Sequence, residues 1–288
     1  GVYLWNTGTS MNSNTIQSNT ISATNYGVYL SNSGTSMNSN TIQSNTISAT
    51  GTGVYLSGTG NNTIQFNIVN VNSTTAGYGV YLYNYDKTSN SNIIQSNTIN
   101  VTASSSGFGA YLYNDIHGTS NFNIIYNQTI NVYSSAVSLT AFRSYGINLY
   151  NADYSNVSLL RINASAPNAK SSDVYLQTGS DGNVFYDNTL LGTNWSSYIL
   201  ASGGTNNTFT NVSYSGGEFV GTGTAQIIRK WYYTAFVNDT NGINVANANI
   251  TAYNSSSNYQ FNLTTGSDGL TTSSAEIIDY INTGGTKT

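Results

Sequence analysis

The sequence predicts an all-β chain: a parallel β-helix of about eight coils, followed by a smaller β module. Three observations carry this. Residues 1–26, GVYLWNTGTSMNSNTIQSNTISATNY, recur at 27–52 with four changes, at Trp5/Ser31, Thr7/Ser33, Asn25/Gly51 and Tyr26/Thr52. Self-similarity at that period signals stacked units. Within each copy apolar residues alternate with polar ones, the period of a strand with one buried face, and no helical period competes with it.

The repeat decays but can be followed. Later copies open at Gly53, Gly79, Gly109, Gly146, Asp173 and Tyr198. Their second position reads Val2, Val28, Val54, Val80, Ala110, Ile147, Val174, Ile199, and their fourth Leu4, Leu30, Leu56, Leu82, Leu112, Leu149, Leu176, Ala201. The NTIQSNTI segment adds two apolar columns, one from Ile16 through Ile94 to Phe209 and one from Ile21 through Ile99 to Tyr214. Four inward hydrophobes per coil are expected. Extra residues around Tyr133 to Tyr145 in the fifth copy predict a protruding loop.

Asparagine marks the bends. One column holds Asn14, Asn40, Asn62, Asn92, Asn123, Ser155, Asn183 and Asn207; a second holds Asn19, Asn45, Asn67 and Asn97, then Gln128, Leu160, Asn188 and Val212. Stacked amides can hydrogen-bond along the rod, and Asn tolerates the left-handed backbone of a sharp bend. The second column is expected to break at Gln128, Leu160 and Val212, with apolar corners at the last two.

Composition narrows function. Charged residues make up 6 % of the 288, with 7 basic against 11 acidic and a net charge of −4. Too few cations are present to neutralise phosphates, which argues against nucleic acid and anionic membranes. No apolar run is long enough to span a bilayer. With no Cys and one His, thiol catalysis, disulfides, Cys-rich zinc sites and three-His sites are excluded. Nucleotide-binding loops and hydrolase elbows are absent too.

Three sets of residues are candidates for a site. Asp86, Asp115, Asp153 and Asp181 each follow a first strand, where stacking would bring them together as a Ca²⁺ site or, with His117 and Lys87 nearby, as a carboxylate pair for glycoside cleavage. The plainer reading makes them turn residues. Tyr3, Tyr29, Tyr55, Tyr81 and Tyr111 share the outward third position, followed by Asn148 and Tyr175. Such a ladder stabilises the sheet by cross-coil stacking, offers a protein interface, or stacks on sugars. N-glycosylation sequons stand at Asn61, Asn72, Asn100, Asn127, Asn156, Asn163, Asn194, Asn206, Asn211, Asn238, Asn249, Asn254 and Asn262. Glycans on a few exposed ones would keep a nearly uncharged surface in solution.

Over about residues 1–224 the pattern GVYL…NNTI..NTI resembles the repeats of NosD-like and pectate-lyase-like proteins. The resemblance implies a right-handed β-helix and an extracellular, cell-surface setting, with archaeal origin expected; it is weak for function, since this scaffold carries both enzymes and structural proteins. A pectate-lyase-like mechanism also wants a basic residue in the groove, and Arg143 and Arg161 are only loosely placed for it.

From about Gln226 the repeat is lost. Val237, Asp239, Gly242, Val245, Ala248, Ile250, Asp268 and Gly269 match the V-D-x-x-G-x-x-V-x-x-A-x-V and T-D-x-x-G patterns of carboxypeptidase-regulatory and Cna-B modules. The resemblance implies a small Ig-like β-sandwich over 226–288, incomplete as it stands, after a β-helix over 1–225. Both chain ends look cut, which suggests a segment of a longer protein or a subunit completed by neighbours.

The expected function is therefore an extracellular structural protein that self-assembles into a surface layer, filament or fibre. The alternatives are a polysaccharide lyase or glycoside hydrolase, and a glycan-binding adhesin. No cofactor is expected beyond the alternative Ca²⁺.

Overall fold

The computed structural model describes residues 1–34, 37–84, 91–115, 121–192, 197–214 and 217–288, with backbone alone at 138–142 and 197–198. All regular structure among them is β. No helix is long and apolar enough to cross a membrane. The chain divides into two compact units, residues 1–228 with 281–288, and residues 229–280.

In the first unit the chain visits three sheets in turn. Val2–Asn6 enters the first, Thr15–Gln17 the second and Thr20–Ala23 the third, and Tyr26–Asn32 returns to the first beside Val2–Asn6. The later repeats do the same as far as Thr189–Leu190, the last strand of the third sheet among the described residues. The three sheets hold nine, eleven and seven strands, and neighbours from successive repeats run parallel. Long parallel sheets of this kind are compatible with a parallel β-helix.

Register follows the sequence columns. Val2 pairs with Val28, Val28 with Val54, Val54 with Val80, and so on through Ala110, Ile147 and Val174 to Ile199. In the second sheet Ile16, Ile42, Ile64, Ile94, Ile125, Val157, Phe185 and Phe209 form one row. In the third, Ile21 leads through Ile99 and Ile162 to Leu190. From Val28 onward nearly all of these side chains are fully buried in one continuous core. A slip of one residue would turn each row outward, so burial itself fixes the register.

Three features go beyond the sequence reading. A fifth inward row, Ala49, Val71, Val101, Val132 and Ala164, lines the third sheet. The first sheet also gains a ninth strand, Gly217–Val220, paired to Ser197–Ala201. The insertion in the fifth copy is absorbed differently from the expected loop. After residues 135–137 it continues as the strand Ser138–Tyr150, whose pairing with Ala169–Leu176 carries register shifts between Ser138 and Ser144. An extra stretch can thus keep its backbone hydrogen bonds by bulging inside a longer strand.

The glycine that opens most repeats has a packing reason. A Cβ on Gly79 would be driven into Ile99 Cγ2 and the Gly109 carbonyl, and Gly27, Gly53, Gly109 and Gly146 face the equivalent third-sheet residues. Gly79→Ala is expected to cost about 1–3 kcal/mol by overpacking, read as a lower urea midpoint. An unchanged midpoint would show that this contact relaxes freely.

Candidate functional site

The corners hold the largest array of specific polar contacts. In the first column Asn14, Asn40 and Asn62 each donate from Nδ2 to the Oδ1 of the next ladder residue, at 2.9, 3.0 and 2.9 Å, and their backbone N–H groups donate to the same oxygen. The second column repeats this from Asn19 through Asn45 and Asn67 to Asn97. A half-buried glutamine row runs with the opposite polarity, Gln43, Gln65 and Gln95 each donating back to the preceding glutamine at 2.8, 2.7 and 2.6 Å. Asn70, Asn100 and Asn131 form a further row.

Two details correct the sequence reading. The left-handed residue is the one before each ladder position. Ser13, Ser39, Asn61, Ser91, Phe122, Tyr154, Gly182 and Asn206 at one corner, and Ser18, Ser44, Phe66, Ser96, Asn127, Leu159, Asp187 and Asn211 at the other, have φ between 50° and 64°. This bend aims the following N–H and amide at the next repeat, so the ladder residue itself needs no special backbone. Gln128 also does not break its column: its Oε1 accepts from Asn97 N at 3.1 Å and its Nε2 donates to Ile94 O at 2.8 Å. Leu160 and Val212 are buried, apolar corners as expected.

A third amide site was readable but overlooked. Asn6 donates to Asn32 at 2.9 Å and Asn84 to Asn114 at 2.7 Å, while Asn32 reaches the Gly58 carbonyl and Asn114 that of Asn151. The signal was an Asn at the sixth position in GVYLWN, GVYLSN, GVYLYN, GAYLYN and GINLYN.

The outward face of the first sheet is aromatic. Tyr29 stacks on Tyr55 at 4.9 Å and 9°, and Tyr81 on Tyr111 at 5.1 Å and 5°. Two flanking columns join them, Tyr78–Phe108–Tyr145 with centroids 4.8 and 4.9 Å apart and Tyr83–Tyr113–Tyr150 at 5.6 and 4.7 Å. Their signals were the aromatic before the opening glycine and the second Tyr of YLY. Where the central column carries Asn148, stacking passes through Phe108 and Tyr145 to Tyr175. Burial, reinforced by neighbouring phenols, pushes the Tyr55, Tyr81 and Tyr111 hydroxyls well above the usual range. Tyr145 is pushed up to about 12, mainly by burial. These four hydroxyls stay neutral at physiological pH. Because most ring faces lie against other rings, the sheet presents edges and hydroxyls rather than open faces; Tyr3 at the end of the column is 57 % exposed.

The aspartates do not form one row. Asp153 Oδ1 accepts from Asp181 N at 2.8 Å, and Asp181 Oδ1 accepts from Thr205 N and Oγ1 at 2.5 and 3.0 Å. These two occupy the turn just before the left-handed residues Tyr154 and Gly182. Asp115 lies instead at the end of a first-sheet strand, directly after Asn114, and its N–H donates to Asn84 O. Turns of unequal length therefore put Asp115 out of line with the other two. Burial, and then the charge of Asp181, raises the Asp153 carboxyl above the ordinary carboxylate range against one opposing backbone hydrogen bond. Among the described residues no three His, Cys, Asp or Glu are grouped closely enough to hold a metal. Asp86, Lys87 and His117 lie outside the described residues.

Most sequon asparagines are exposed: Asn61, Asn72, Asn127, Asn156, Asn206, Asn211, Asn238, Asn249, Asn254 and Asn262. Asn100 and Asn163 are half-buried, the former tied into its amide row, and Asn194 lies outside the described residues.

No protein-family model, no curated protein and no solved structure matches this chain.

Proposed function

We propose that the chain is an extracellular structural protein: a right-handed parallel β-helix of about eight coils over residues 1–225, carrying an Ig-like β-sandwich module over 226–288, that assembles with identical subunits into a surface layer, filament or fibre. One observation carries the reading. The polar residues that define the repeat are spent on holding each repeat to the next, through asparagine and glutamine rows in register over successive copies. Such rows lengthen with every duplication, whereas a catalytic groove needs particular residues on particular repeats.

The carboxylates support the same reading, since Asp153 and Asp181 already act as acceptors within turns. So do the tyrosines, whose faces are largely occupied by one another. N-glycans on the exposed sequons would solvate a surface that has few charges.

Electron microscopy of concentrated native protein is expected to show fibres or lattices. Dispersed single particles at every concentration would refute assembly. Steady polysaccharide cleavage that an Asp153→Asn variant loses would replace this reading with an enzymatic one.

A further inference from the structure

The second unit, residues 229–280, has almost no core of its own. Leu263 is its one buried hydrophobe, while Phe236, Ile243, Tyr253, Tyr259, Leu270 and Ile278 are all at least 47 % exposed. A groove of about 880 Å³ opens within it, lined by Tyr233, Ile250, Ala252, Phe261, Ile277 and Ile278 among others. One wall of that groove is a hairpin of Asn249–Tyr253 and Tyr259–Thr264, which forms a sheet of only two strands. A two-stranded sheet is marginal alone, and a third strand paired at its edge is the usual remedy.

The free edge can be located. The outer side of Tyr259–Thr264 is engaged at its C-terminal end, where Thr272 N donates to Thr264 O at 2.9 Å and Thr271 bridges Thr265. Among the described residues Asn249–Tyr253 pairs with no strand besides Tyr259–Thr264. It also has none of the devices that protect an edge: its sequence, NITAY, contains no charge and no proline. The one carboxylate lining the groove, Glu276, is paired with Lys230 at 3.0 Å. The strand NITAY itself offers a charged partner strand no counter-charge, so an uncharged strand suits this edge.

We propose that a second copy of this chain supplies that strand, the two Asn249–Tyr253 edges pairing antiparallel about a two-fold axis to make one four-stranded sheet. This rests on the self-assembly proposed above and names a contact for it. The segment is self-complementary in that register. Thr251 faces Thr251 of the second copy, a favourable cross-strand pair, and Ile250 faces Ala252 of the second copy. Ile250 and Ala252 are the half-buried positions of the strand and line the groove together with Thr251 and Tyr253, so each copy extends the apolar wall of the other. An isologous contact of this kind closes on itself and joins subunits in pairs. Glycans at Asn249 or Asn254 would flank the same edge and oppose pairing.

The test uses the full 288-residue chain, produced without glycosylation. It contains no cysteine, so Thr251→Cys introduces a single thiol. Opposed antiparallel residues have Cα atoms about 4.5–5.5 Å apart, within the span of a disulfide. Mild oxidation is expected to give disulfide-linked dimers about tenfold or more faster for T251C than for Asn262→Cys on the neighbouring strand. Sedimentation of Thr251→Lys, which sets two like charges opposite each other, is expected to show dimerisation weakened about tenfold or more. Equal cross-linking of the two cysteine variants, or a T251K dimer as tight as wild type, would overturn this interface. If T251K still forms fibres or lattices, assembly by another contact stands and this one falls; a wild type that is monomeric throughout refutes both. Saturable binding of an apolar dye in the groove, with no change in sedimentation on T251K, would make the occupant a small ligand and also overturn the proposal.

Discussion

Replacing Asn67 with alanine is expected to destabilise the protein by about 3–5 kcal/mol, as orphaned buried polar groups add to a small cavity. Asn67 Oδ1 accepts from both the backbone N and the Nδ2 of Asn45, at 2.9 and 3.0 Å. Its own Nδ2 donates to Ile42 O at 2.8 Å and to Asn97 Oδ1 at 2.9 Å. Asn45 Nδ2 keeps a second acceptor in Ile16 O, so the main penalty falls on the Asn45 N–H, which loses its acceptor in a corner that water does not reach. Asn67→Gln should lose much less, about 1 kcal/mol, because Gln128 already performs the same two contacts in the same column. Urea titrations followed by circular dichroism would rank the pair. Equal losses from alanine and glutamine would mean that the corner tolerates unpaired amides, and the ladder would no longer explain the cohesion of the repeats.

How much of this was readable beforehand depends on whether a contact repeats. Columns such as Val28–Val54–Val80 were legible because period-two burial and a fixed repeat specify partners without any knowledge of the third dimension. The ladder asparagines were legible for the same reason. The left-handed position was not, since Ser, Phe, Asn, Tyr, Leu, Asp and Gly all occupy it; backbone geometry imposed by the turn overrides the preference of the residue. Asp115 was misplaced because alignment by first strands says nothing about turn length. Most of the aromatic face was overlooked because only one of its three columns falls at a fixed place inside the GVYL motif. What the site does was least legible, because stacked tyrosines and turn aspartates look alike in a sequence whether they bind a ligand or one another.

Asp173 is expected to make stability fall as pH rises from about 4 to about 7. It stands in the column that is glycine in the six preceding repeats, yet it is fully buried. Room for it exists because the third-sheet strand beside it, Thr189–Leu190, is only two residues long. Its carboxyl takes over what a longer strand would have done: Oδ1 accepts from Ala164 N and Oδ2 from Gly192 N, each at 2.8 Å. Burial raises its pKa to about 7, outweighing the backbone N–H groups of Gly192, Ala164 and Leu191 that favour the ion. An unfolded aspartate titrates near about 3.9. The folded chain thus holds the proton where the unfolded chain has released it. The associated stability is fully present below about pH 4 and is lost as pH rises through about 7, some 4 kcal/mol for a shift of about three units. Urea midpoints across this range should trace the decline, and Asp173→Asn, which cannot titrate, should flatten most of it. Asp173→Ala should lose about 3–5 kcal/mol below about pH 4 by stranding the Ala164 and Gly192 N–H groups without an acceptor, and its gap to wild type should narrow as pH rises through about 7. A wild-type profile as flat as that of the asparagine variant would mean that the backbone donors win over burial, leaving Asp173 a permanently charged anchor where the third sheet runs out of strand.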